Sequence, residues 1–591
     1  GIIGTYELKE AKAAFETLVH RGSDASVTFS EEKCFLGVHR LAVTGLAEPF
    51  MQMSLRKGIR ILFNGEIYNY RTLAQELGSE VESETDVLYA AYQKWGEDFV
   101  KHLRGMFAIA VVEGAEIKLF RDPVGKKPLF YAFDENKVIF ASEMKAIHSM
   151  VPFRFDRQVI PSYLSFQTPL APHTFDGSVH QVEAGEMVAF PLDSQKIRKE
   201  KYYTPLLKGR RITEMAEAEA VLEKALQESV SLRLPREVKF ACLLSGGVDS
   251  SLVSAMASLE QKVHTFSIGY EGYENYDERP FARRVAEHIG SEHHEVVFSK
   301  ADFLRTIEEV VASLDEPLAD PAMLPLHHLM KAVHKEGFKV VLTGDGSDEL
   351  FMGYRTYKEF YDLEQAKELK FKGWLQHYFK SHFSMHKEWE WYKRIFEESL
   401  LFRSTAEVFT DLQQNRLLRM NVKDNRSLKA LETYQKEFEQ SGRTSPVDWY
   451  SFLDLKIMLG NVFLRKLDRM SMAHSVEARS PFLDKEVAAV AFACAPELRM
   501  AERPKELVKR VAGKYLPEEI VHRKKKGFNY PYMEWLQESG ELEVIGRIQE
   551  KMHLFNGHEL EMYLEKGKKG MFKQHLFSLY MLCKWLERKG L

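Results

Sequence analysis

A glycine- and hydroxyl-rich loop occupies residues 245–251 and reads Ser245-Gly246-Gly247-Val248-Asp249-Ser250-Ser251. It follows an apolar run at 238–244, typical of a buried strand, and opens a pattern that predicts a helix at 250–258. Glycines let backbone N–H groups approach a phosphate, hydroxyls add donors, and a helix N-terminus adds a favourable dipole. The loop therefore predicts a phosphate site in an α/β fold, with Asp249 placed to hold Mg²⁺.

The segments that follow this loop predict a parallel sheet. Strands are expected at 263–268 and 339–343, and a helix at 277–289 separates them. The last strand runs into a second loop, Thr343-Gly344-Asp345-Gly346-Ser347-Asp348-Glu349. Since acidic residues at the carboxyl end of a strand can coordinate Mg²⁺ and glycines allow close approach, this loop indicates a partner for the first one.

Outside this region the sequence predicts three further kinds of segment. Residues 1–190 predict strands and turns with two helices, at 8–20 and 85–95, which is typical of a layered α+β domain. A Lys-, Arg-, Ser- and Pro-containing segment at 193–212 is typical of a linker, and a helix is expected at 214–232. Residues 355–450 and 453–591 are both expected to be helical.

Composition excludes several classes of protein. The 591 residues carry a formal net charge of −4, with 45% hydrophobic and 28% charged residues, which indicates a soluble globular protein of two or more domains. Near-neutral charge argues against binding to nucleic acid or to an anionic membrane. The four cysteines, Cys34, Cys242, Cys494 and Cys583, are far apart and show no CxxC or CxxH pairing, so neither a disulfide framework nor a zinc site is indicated, which fits the cytoplasm.

A second group of residues predicts a site for a free amino acid. Asn64 and Gly65 follow a strand and are suited to an oxyanion hole, because a side-chain amide lies beside a glycine N–H. Arg40 is suited to clamp a carboxylate through two hydrogen bonds. Glu66 and Glu84 are suited to hold an ammonium group, so the set would bind an amino acid by both ends.

The loop at 245–251 is not a Walker-type loop, because the GxxxxGK[ST] motif is absent. It resembles the pyrophosphate-binding loop of the PP-loop ATP pyrophosphatases. Together with 343–354, 468–472, 477–484 and Lys505, it is similar to the synthetase domain of asparagine synthetases. The resemblance implies cleavage of ATP to AMP and pyrophosphate, Mg²⁺ at Asp249 and Asp348, and a lysine at 505 that neutralises the phosphates. The implied ATP-binding residues are Leu244, Ser245, Gly246, Gly247, Asp249, Ser250, Ser267, Ile268, Gly269, Thr343, Gly344 and Lys505. Asp345 takes the catalytic position that is usually Glu in the family, which leaves the acceptor open.

The run at 63–70 resembles class II glutamine amidotransferases, whose fold is the N-terminal-nucleophile hydrolase sandwich. Those proteins begin Cys-Gly-Ile-x-Gly, and this sequence matches from Gly1 onward, so the nucleophilic cysteine is expected immediately before Gly1. Three explanations stay open: the cysteine is chemically modified, it has been removed, or the protein lacks it as β-lactam-forming relatives do. Two smaller departures are Ser23 in place of Pro and Glu84 in place of Asp.

The resemblance implies an N-terminal-nucleophile sandwich followed by a PP-loop domain with a large helical region. The expected domains are a glutaminase at 1–192, a linker at 193–212 and a synthetase at 213–591, with an internal ammonia tunnel and a possible homodimer. Glutamine, aspartate and ATP are the expected substrates, and neither a nucleic acid nor a membrane is an expected partner. The alternatives are an amidotransferase for another carboxylate such as a sugar acid, a ring-closing enzyme with a non-functional front domain, a PP-loop RNA-modifying enzyme, and a regulatory binding protein.

Overall fold

The computed structural model describes residues 1–5, 10–31, 34–45, 52–56, 58–78, 83–134, 137–191, 196–206, 209–365, 372–381, 386–523 and 529–591. Parts of several predicted segments lie outside these ranges. They include residues 8–9 of the helix at 8–20, the boundary at 192/193, residues 193–195 and 207–208 of the linker, parts of the helical region at 355–450, and residues 524–528 of the helical region at 453–591.

Seventeen strands form three sheets in the described part of the chain. They are β1 Ile2–Thr5, β2 Ala25–Glu31, β3 Cys34–Arg40, β4 Met53–Arg56, β5 Ile59–Ile67, β6 Gly105–Glu113, β7 Glu116–Arg121, β8 Phe130–Asp134, β9 Lys137–Ala141, β10 Val179–Gln181, β11 Glu186–Pro191, β12 Arg198–Lys201, β13 Phe240–Leu243, β14 His264–Tyr270, β15 Glu292–Phe298, β16 Val340–Leu342 and β17 Glu477–Arg479.

The α-helices of the described residues precede, separate and follow these strands. They are α1 Ala11–Glu16, α2 Tyr70–Leu77, α3 Glu84–Trp95, α4 Phe99–His102, α5 Met144–His148, α6 Ile160–Phe166, α7 Met215–Arg233, α8 Val248–Ser258, α9 Arg279–His288, α10 Lys300–Ser313, α11 Met323–Lys335, α12 Ser347–Leu350, α13 Arg355–Glu364, α14 Lys372–Ser381, α15 Lys387–Phe396, α16 Asp411–Leu417, α17 Arg426–Ala430, α18 Glu432–Gln440, α19 Pro446–Asp454, α20 Leu464–Met472, α21 Lys485–Ala493, α22 Pro496–Arg499, α23 Glu506–Ala512, α24 Glu518–Val521, α25 Tyr532–Ser539, α26 Glu543–Met552, α27 Gly557–Lys568 and α28 Lys573–Arg588. A π-helical segment, Leu455–Phe463, joins α19 to α20.

The N-terminal part is a four-layer sandwich of two antiparallel sheets between helices. One sheet has the order β10-β8-β9-β1-β3-β2 and the other β12-β11-β7-β6-β5-β4. Successive side chains along a strand point to opposite faces of the sheet. Apolar residues on both faces therefore pack the two sheets against each other and against the outer helices. Ile2 and Leu62 lie in the core between the sheets, whereas Ile3 packs with α1 and α5 and Phe63 packs with α2 and α3. The predicted α+β sandwich is confirmed.

The C-terminal part is built on a parallel sheet with the order β15-β14-β13-β16-β17. All four strand pairs are parallel, and one large core joins the sheet to the helical region. Helix α6, which comes from the front part of the chain, also packs in this core, and Tyr163 donates a hydrogen bond to the Ser578 carbonyl oxygen (2.7 Å). The predicted α/β sheet with a large helical region is confirmed.

Two strands lie in segments for which the sequence predicted a helical region and a linker. The expectation that 453–591 is entirely helical is wrong, because β17 pairs with β16 inside that region. A strand of three residues is too short to show a period of two, so flanking helical patterns hide it. Inside the predicted linker, Arg198–Lys201 forms β12 at the edge of a sheet. All four of its residues are exposed and charged, which is a common way to protect an edge strand and reads as a linker in the sequence.

Among the helices of the described residues, none combines the length and the apolar character that crossing a membrane requires.

Candidate active sites

The loop at 245–251 lies between the carboxyl end of β13 and the first turn of α8. Hydroxyl groups fix its shape: Ser250 Oγ accepts from the Ser245 N–H (3.2 Å), and Ser245 Oγ and Ser250 Oγ lie 3.0 Å apart. Gly246 has a left-handed φ of +69°, and a Cβ there would lie 2.7 Å from the backbone nitrogen of Ala282. The loop therefore requires glycine, as a phosphate-binding turn followed by a helix N-terminus does.

Three distant segments meet at Lys505. Its ammonium group forms ion pairs with Asp249, at the start of α8, and with Asp348 Oδ1 on α12 (2.6 Å). Lys505 is buried, and although burial disfavours the charged form, the two carboxylates outweigh it and raise the pKa of the lysine. Lys505 also has a left-handed φ of 58°, an unusual conformation for a non-glycine residue. Such strain is concentrated at functional sites.

The surroundings of this ion-pair cluster fit a metal–phosphate group. Asp249 Oδ1 is buried and accepts no hydrogen bond within the described part of the chain, which leaves an oxygen for a cation. A Cβ on Gly353 would lie 1.9 Å from Asp348 Oδ1 and 2.1 Å from Lys505 Cε. A Cβ on Gly344 would lie 2.7 Å from the Ser250 nitrogen. These glycines keep the two loops and the lysine in close contact.

The remaining predicted nucleotide residues lie on the neighbouring strands. Ser267, Ile268 and Gly269 are in β14, beside β13, and the Leu244 N–H donates to the Phe266 carbonyl oxygen (2.8 Å). The Ser267 hydroxyl contacts His293 Nε2 (3.0 Å), so a neighbouring strand already occupies part of its bonding capacity. Thr343 directly follows β16. All these residues gather at the carboxyl edge of the sheet, where parallel α/β folds bind ligands.

The predicted oxyanion residues lie near the beginning of the described chain. Asn64 and Gly65 are near the end of β5, and the Ser142 hydroxyl lies 3.4 Å from Asn64 Nδ2. The same hydroxyl accepts from the Ile2 N–H (2.9 Å), so Ser142 joins the amide of Asn64 to β1. Gly65 has φ of +144°, and a Cβ there would lie 1.9 Å from the Met106 carbonyl oxygen, so glycine is required.

The predicted amino-acid-binding side chains are buried and already have protein partners. Arg40 donates to the carbonyl oxygens of Thr44 (2.8 Å) and Gly45 (2.7 Å). Glu66 accepts from the Thr44 hydroxyl (2.8 Å), and burial raises its pKa. Glu84 accepts from the Ile67 N–H (2.6 Å), and burial, followed by the charge of Glu66, raises its pKa well above the ordinary value.

The two candidate sites are connected through buried side chains. Arg479 on β17 lies 3.3 Å from Glu66 Oε2, so a residue of the parallel sheet reaches the candidate amino-acid site. Lys126, on the loop after β7, donates to Ser480 Oγ (2.6 Å), which lies 2.8 Å from Thr343 Oγ1. Burial lowers the pKa of Lys126 to about 7, and Asp345 is the charge that opposes this shift most.

The loop that carries Lys126 is fixed to the strands of the oxyanion residues. The Asp122 carboxylate accepts from the N–H groups of Lys126 (2.9 Å) and Lys127 (2.8 Å) and, at 3.3 Å, from that of Phe107. Phe107 is the register partner of Gly65 in the β5–β6 pair. A continuous set of short contacts therefore runs from Gly65 to Thr343.

A second buried contact between the front and rear parts of the chain is ionic. Arg21 contacts Glu143 (2.8 Å) and Asp468 (2.8 Å), and Arg469 contacts Glu143 Oε2 (2.6 Å) and also Asp315. All five side chains are buried. Buried charges are tolerated only when they are paired, so this network requires the two parts to be docked.

Sequence reasoning missed Ser142, Lys126 and Arg479 as functional candidates, although Arg479 lies in the segment 477–484 that it had singled out. Lys126 and Arg479 each contact a residue from the opposite part of the chain, and no local sequence pattern shows such contacts. The spacing of Glu477 and Arg479 was the available signal for Arg479, because residues two apart in a strand share a face.

Comparison with known proteins identifies two families along the chain. The family described as "Asparagine synthase" matches residues 221–587, and that described as "Glutamine amidotransferase domain" matches residues 1–203. Asparagine synthetase [glutamine-hydrolyzing] 1 of Bacillus subtilis (strain 168) is 31% identical over 553 residues, which cover 90% of this chain and 86% of that protein. Asparagine synthetase [glutamine-hydrolyzing] 3 of the same organism is 29% identical over 547 residues, or 87% and 83%.

Similarity to solved structures is much weaker. The alignment with an allosteric regulatory enzyme of purine biosynthesis covers 50% of this chain and 80% of that one, with 14% identity and a TM-score of 0.28. The sequence match over more than half of the chain shows the family. The parallel sheet of the rear part and the antiparallel sandwich of the front part agree with it. The chain belongs to the asparagine synthase family and carries a glutamine amidotransferase domain at its N-terminal end.

Proposed function

We propose that this protein is a glutamine-dependent asparagine synthetase, a carbon–nitrogen ligase. In this proposal the front site hydrolyses glutamine to ammonia, and the rear site uses ATP to adenylate the side-chain carboxylate of aspartate. Ammonia then displaces AMP, and the products are asparagine, AMP and pyrophosphate. The observation that carries the proposal is the meeting of Lys505, Asp249 and Asp348 beside the 245–251 loop.

The rear site would act mainly by electrostatic stabilisation. Lys505 holds its positive charge firmly, so it can stabilise the negative charge that develops on departing pyrophosphate. Asp249 and Asp348 would hold Mg²⁺, which supplies charge neutralisation of the phosphates when bound. The N–H groups of the loop and the first turn of α8 would orient the phosphates.

The front site would act through an oxyanion hole. Asn64 Nδ2 and the Gly65 N–H would receive the oxyanion that forms when a thiol attacks the amide of glutamine. The thiol in this proposal is a cysteine immediately before Gly1, since Cys34, Cys242, Cys494 and Cys583 are all buried. Support comes from Ser142, which holds Asn64 next to the start of β1.

Arg40, Glu66 and Glu84 would bind the two ends of glutamine. Because Arg479 contacts Glu66, glutamine binding would require this ion pair to rearrange or to share its carboxylate. The high pKa of Glu84 would fall once an ammonium group lies beside it, since an opposite charge favours the ionised form.

We also propose the division into a glutaminase at 1–192, a linker at 193–212 and a synthetase at 213–591. Family matches at 1–203 and 221–587 support boundaries in this region. Strand β12 in the proposed linker would make this connection part of the front sheet rather than a free tether.

The decisive experiment is isotope exchange between pyrophosphate and ATP in the presence of aspartate. The proposal expects exchange that depends on aspartate and Mg²⁺, and asparagine formation with either glutamine or ammonium as the nitrogen source. A panel with glutamate, malate and hexuronic acids serves as the matched control. Exchange with another acid but not with aspartate would overturn the proposed acceptor and leave the adenylation chemistry intact.

One observation favours a second candidate, an amidotransferase for a different carboxylate such as a sugar acid. Asp345 is one methylene shorter than the glutamate usual in this position, and its negative charge acts on the buried Lys126. The pair would give the acceptor site a different size and charge. Exchange supported by a hexuronic acid would favour this candidate.

A further inference from the structure

Two histidines and one glutamate meet at the amino-terminal edge of the parallel sheet, away from both candidate active sites. His264 is the first residue of β14, and Glu292 is the first residue of β15. His264 pairs in register with Glu292, and Phe266 pairs with His294. Because alternate strand residues share a face, His264, Glu292 and His294 lie on the same face of the sheet.

The distances between their polar atoms fit a small cation. His294 Nε2 lies 3.5 Å from His264 Nδ1, and Glu292 Oε2 lies 3.7 Å from His264 Nδ1. Glu292 Oε1 lies 4.0 Å from His294 Nε2. Zn–N bonds of about 2.0–2.1 Å in a tetrahedron place donor atoms about 3.3 Å apart, so only small side-chain movements are needed.

Aromatic neighbours hold the two histidine rings. His294 stacks on Phe266 with ring centroids 4.5 Å apart and an interplanar angle of 9°, and His264 lies 4.9 Å from Phe338. Prior orientation of ligands reduces the cost of binding.

His293 provides a comparison within the same strand. Its Nδ1 contacts the Thr265 hydroxyl (2.8 Å) and its Nε2 contacts the Ser267 hydroxyl (3.0 Å), so protein groups satisfy both nitrogens. His264 and His294 instead direct a nitrogen of each ring toward the other. Two neutral imidazole nitrogens satisfy each other only when one carries a proton, whereas a cation satisfies both.

We propose that His264, Glu292 and His294 form a binding site for a divalent transition-metal ion, with Zn²⁺ as the best match. Two imidazoles and one carboxylate are a common zinc set, and water would complete the tetrahedron. The Glu292 side chain is 52% exposed, so an ion can enter from solvent. From the cysteine spacing no zinc site was expected, whereas these ligands come from neighbouring strands that no local motif connects.

The site would fasten the starts of β14 and β15 together and would not take part in the ligase reaction. Gly269, a candidate nucleotide residue, lies five residues along β14, which corresponds to about 16 Å of strand. Lys262 lies 3.4 Å from Glu292 Oε2 and competes with a cation for that carboxylate.

The test is Zn²⁺ binding to the full-length protein after removal of metals with EDTA. Isothermal titration and metal analysis after dialysis should show one Zn²⁺ per chain with a dissociation constant at or below the micromolar range. His294→Phe, which keeps the stacking on Phe266, should weaken binding at least 100-fold, and Glu292→Gln at least 10-fold. Lys262→Met should tighten binding, and His293→Gln should leave it unchanged.

Thermal unfolding gives a second readout, since a ligand that binds only the folded state raises the melting temperature. Zn²⁺ should raise it for the wild-type protein and for His293→Gln, but not for His294→Phe. Glu292 is exposed, so Glu292→Gln keeps the test valid if His294→Phe folds poorly. Absence of binding to the wild-type protein, or equal binding to wild type and Glu292→Gln, would overturn the proposal.

Discussion

Lys505 combines three properties that seldom occur together in one residue. It is buried, it has a left-handed backbone conformation, and it forms ion pairs with two carboxylates from different loops. A solvated lysine on a helix face would have none of these properties. The structure therefore gives this residue a physical basis for the role that the family resemblance implies.

Replacement of Lys505 by Met should abolish adenylation while sparing glutamine hydrolysis. The variant keeps the length of the side chain and removes the charge, so we expect at least a 100-fold loss of ATP–pyrophosphate exchange, a magnitude typical of a lost transition-state stabiliser. Arg510→Met is the control, since Arg510 is half exposed and, within the described part of the chain, forms its ion pair with Glu506 in the preceding turn of the same helix. Exchange within a few-fold of wild type in Lys505→Met would contradict the assigned role.

Replacement of Asn64 by Ala should affect the other half of the reaction. Loss of one oxyanion donor is expected to lower the turnover of glutamine hydrolysis by a factor of about 10²–10³. Glutamate release measures this step, and synthesis with ammonium in place of glutamine is the internal control. Equal loss with glutamine and with ammonium would show that Asn64 supports the fold and not the oxyanion.

At the scale of elements, the agreement between sequence and structure depends on how local each signal is. The strand, loop and helix around 240–258 follow one another along the chain, and their pattern predicted them within a few residues. Helix α3 was expected at 85–95 and extends over Glu84–Trp95 for the same reason. Strand β15 was missed because its exposed Glu292 and its histidines interrupt the apolar pattern.

For the candidate sites, too, the success of prediction depends on how local the signal is in the sequence. The glycines, hydroxyls and acids of the candidate nucleotide site lie in two short loops, so their residue types alone are sufficient to predict it. The partners of Glu66 and Asp345 come from the opposite part of the chain and depend on docking. Burial that raises the pKa of Glu84 also depends on packing, and no local sequence pattern carries it.

The junction of α19, α22 and the segment before α7 depends on one carboxylate. Asp448 is fully buried and pairs with Arg499, Arg443 (2.9 Å) and Arg211. Asp448→Asn leaves these cations without their counter-charge, so we expect a loss of about 3–5 kcal/mol and a fall of several degrees in melting temperature.

Asp424→Asn is the matched control for that change. Asp424 pairs with a partly exposed Arg426 (3.1 Å), and such pairs contribute about 0–1 kcal/mol. Differential scanning calorimetry measures both variants. Similar melting temperatures for the two would mean that the buried cluster contributes no more than a surface pair.

At the scale of the whole molecule, Lys126 makes stability depend on pH in a defined direction. Burial, together with the positive charges of Lys127 and Arg233, lowers the pKa of Lys126 from 10.5 to about 7. The negative charges of Asp345 and Asp122 oppose this shift without cancelling it. Between these pH values the unfolded chain binds a proton that the folded chain does not. Folding stability therefore rises with pH through this window, by at most about 1.4 kcal/mol per pH unit.

Lys126→Met should remove this contribution. The melting temperature of the wild-type protein, measured relative to the variant in the same buffer, should increase from pH 7 to pH 10. All other titrating groups are shared, so the difference isolates Lys126. A difference that does not change with pH would show that Lys126 keeps its proton in the folded protein and that its pKa is not lowered.

The late position of β17 in the chain has a consequence for biosynthesis. During translation, β16 is made well before its outer neighbour, because the long segment 343–476 must be synthesised between them. Val340, Val341 and Leu342 are fully buried in the finished protein, yet a nascent chain stalled in that segment presents them on an open sheet edge. The front sandwich, by contrast, can close early. Incomplete chains are therefore expected to need a chaperone at this edge, and to aggregate through it when none is present.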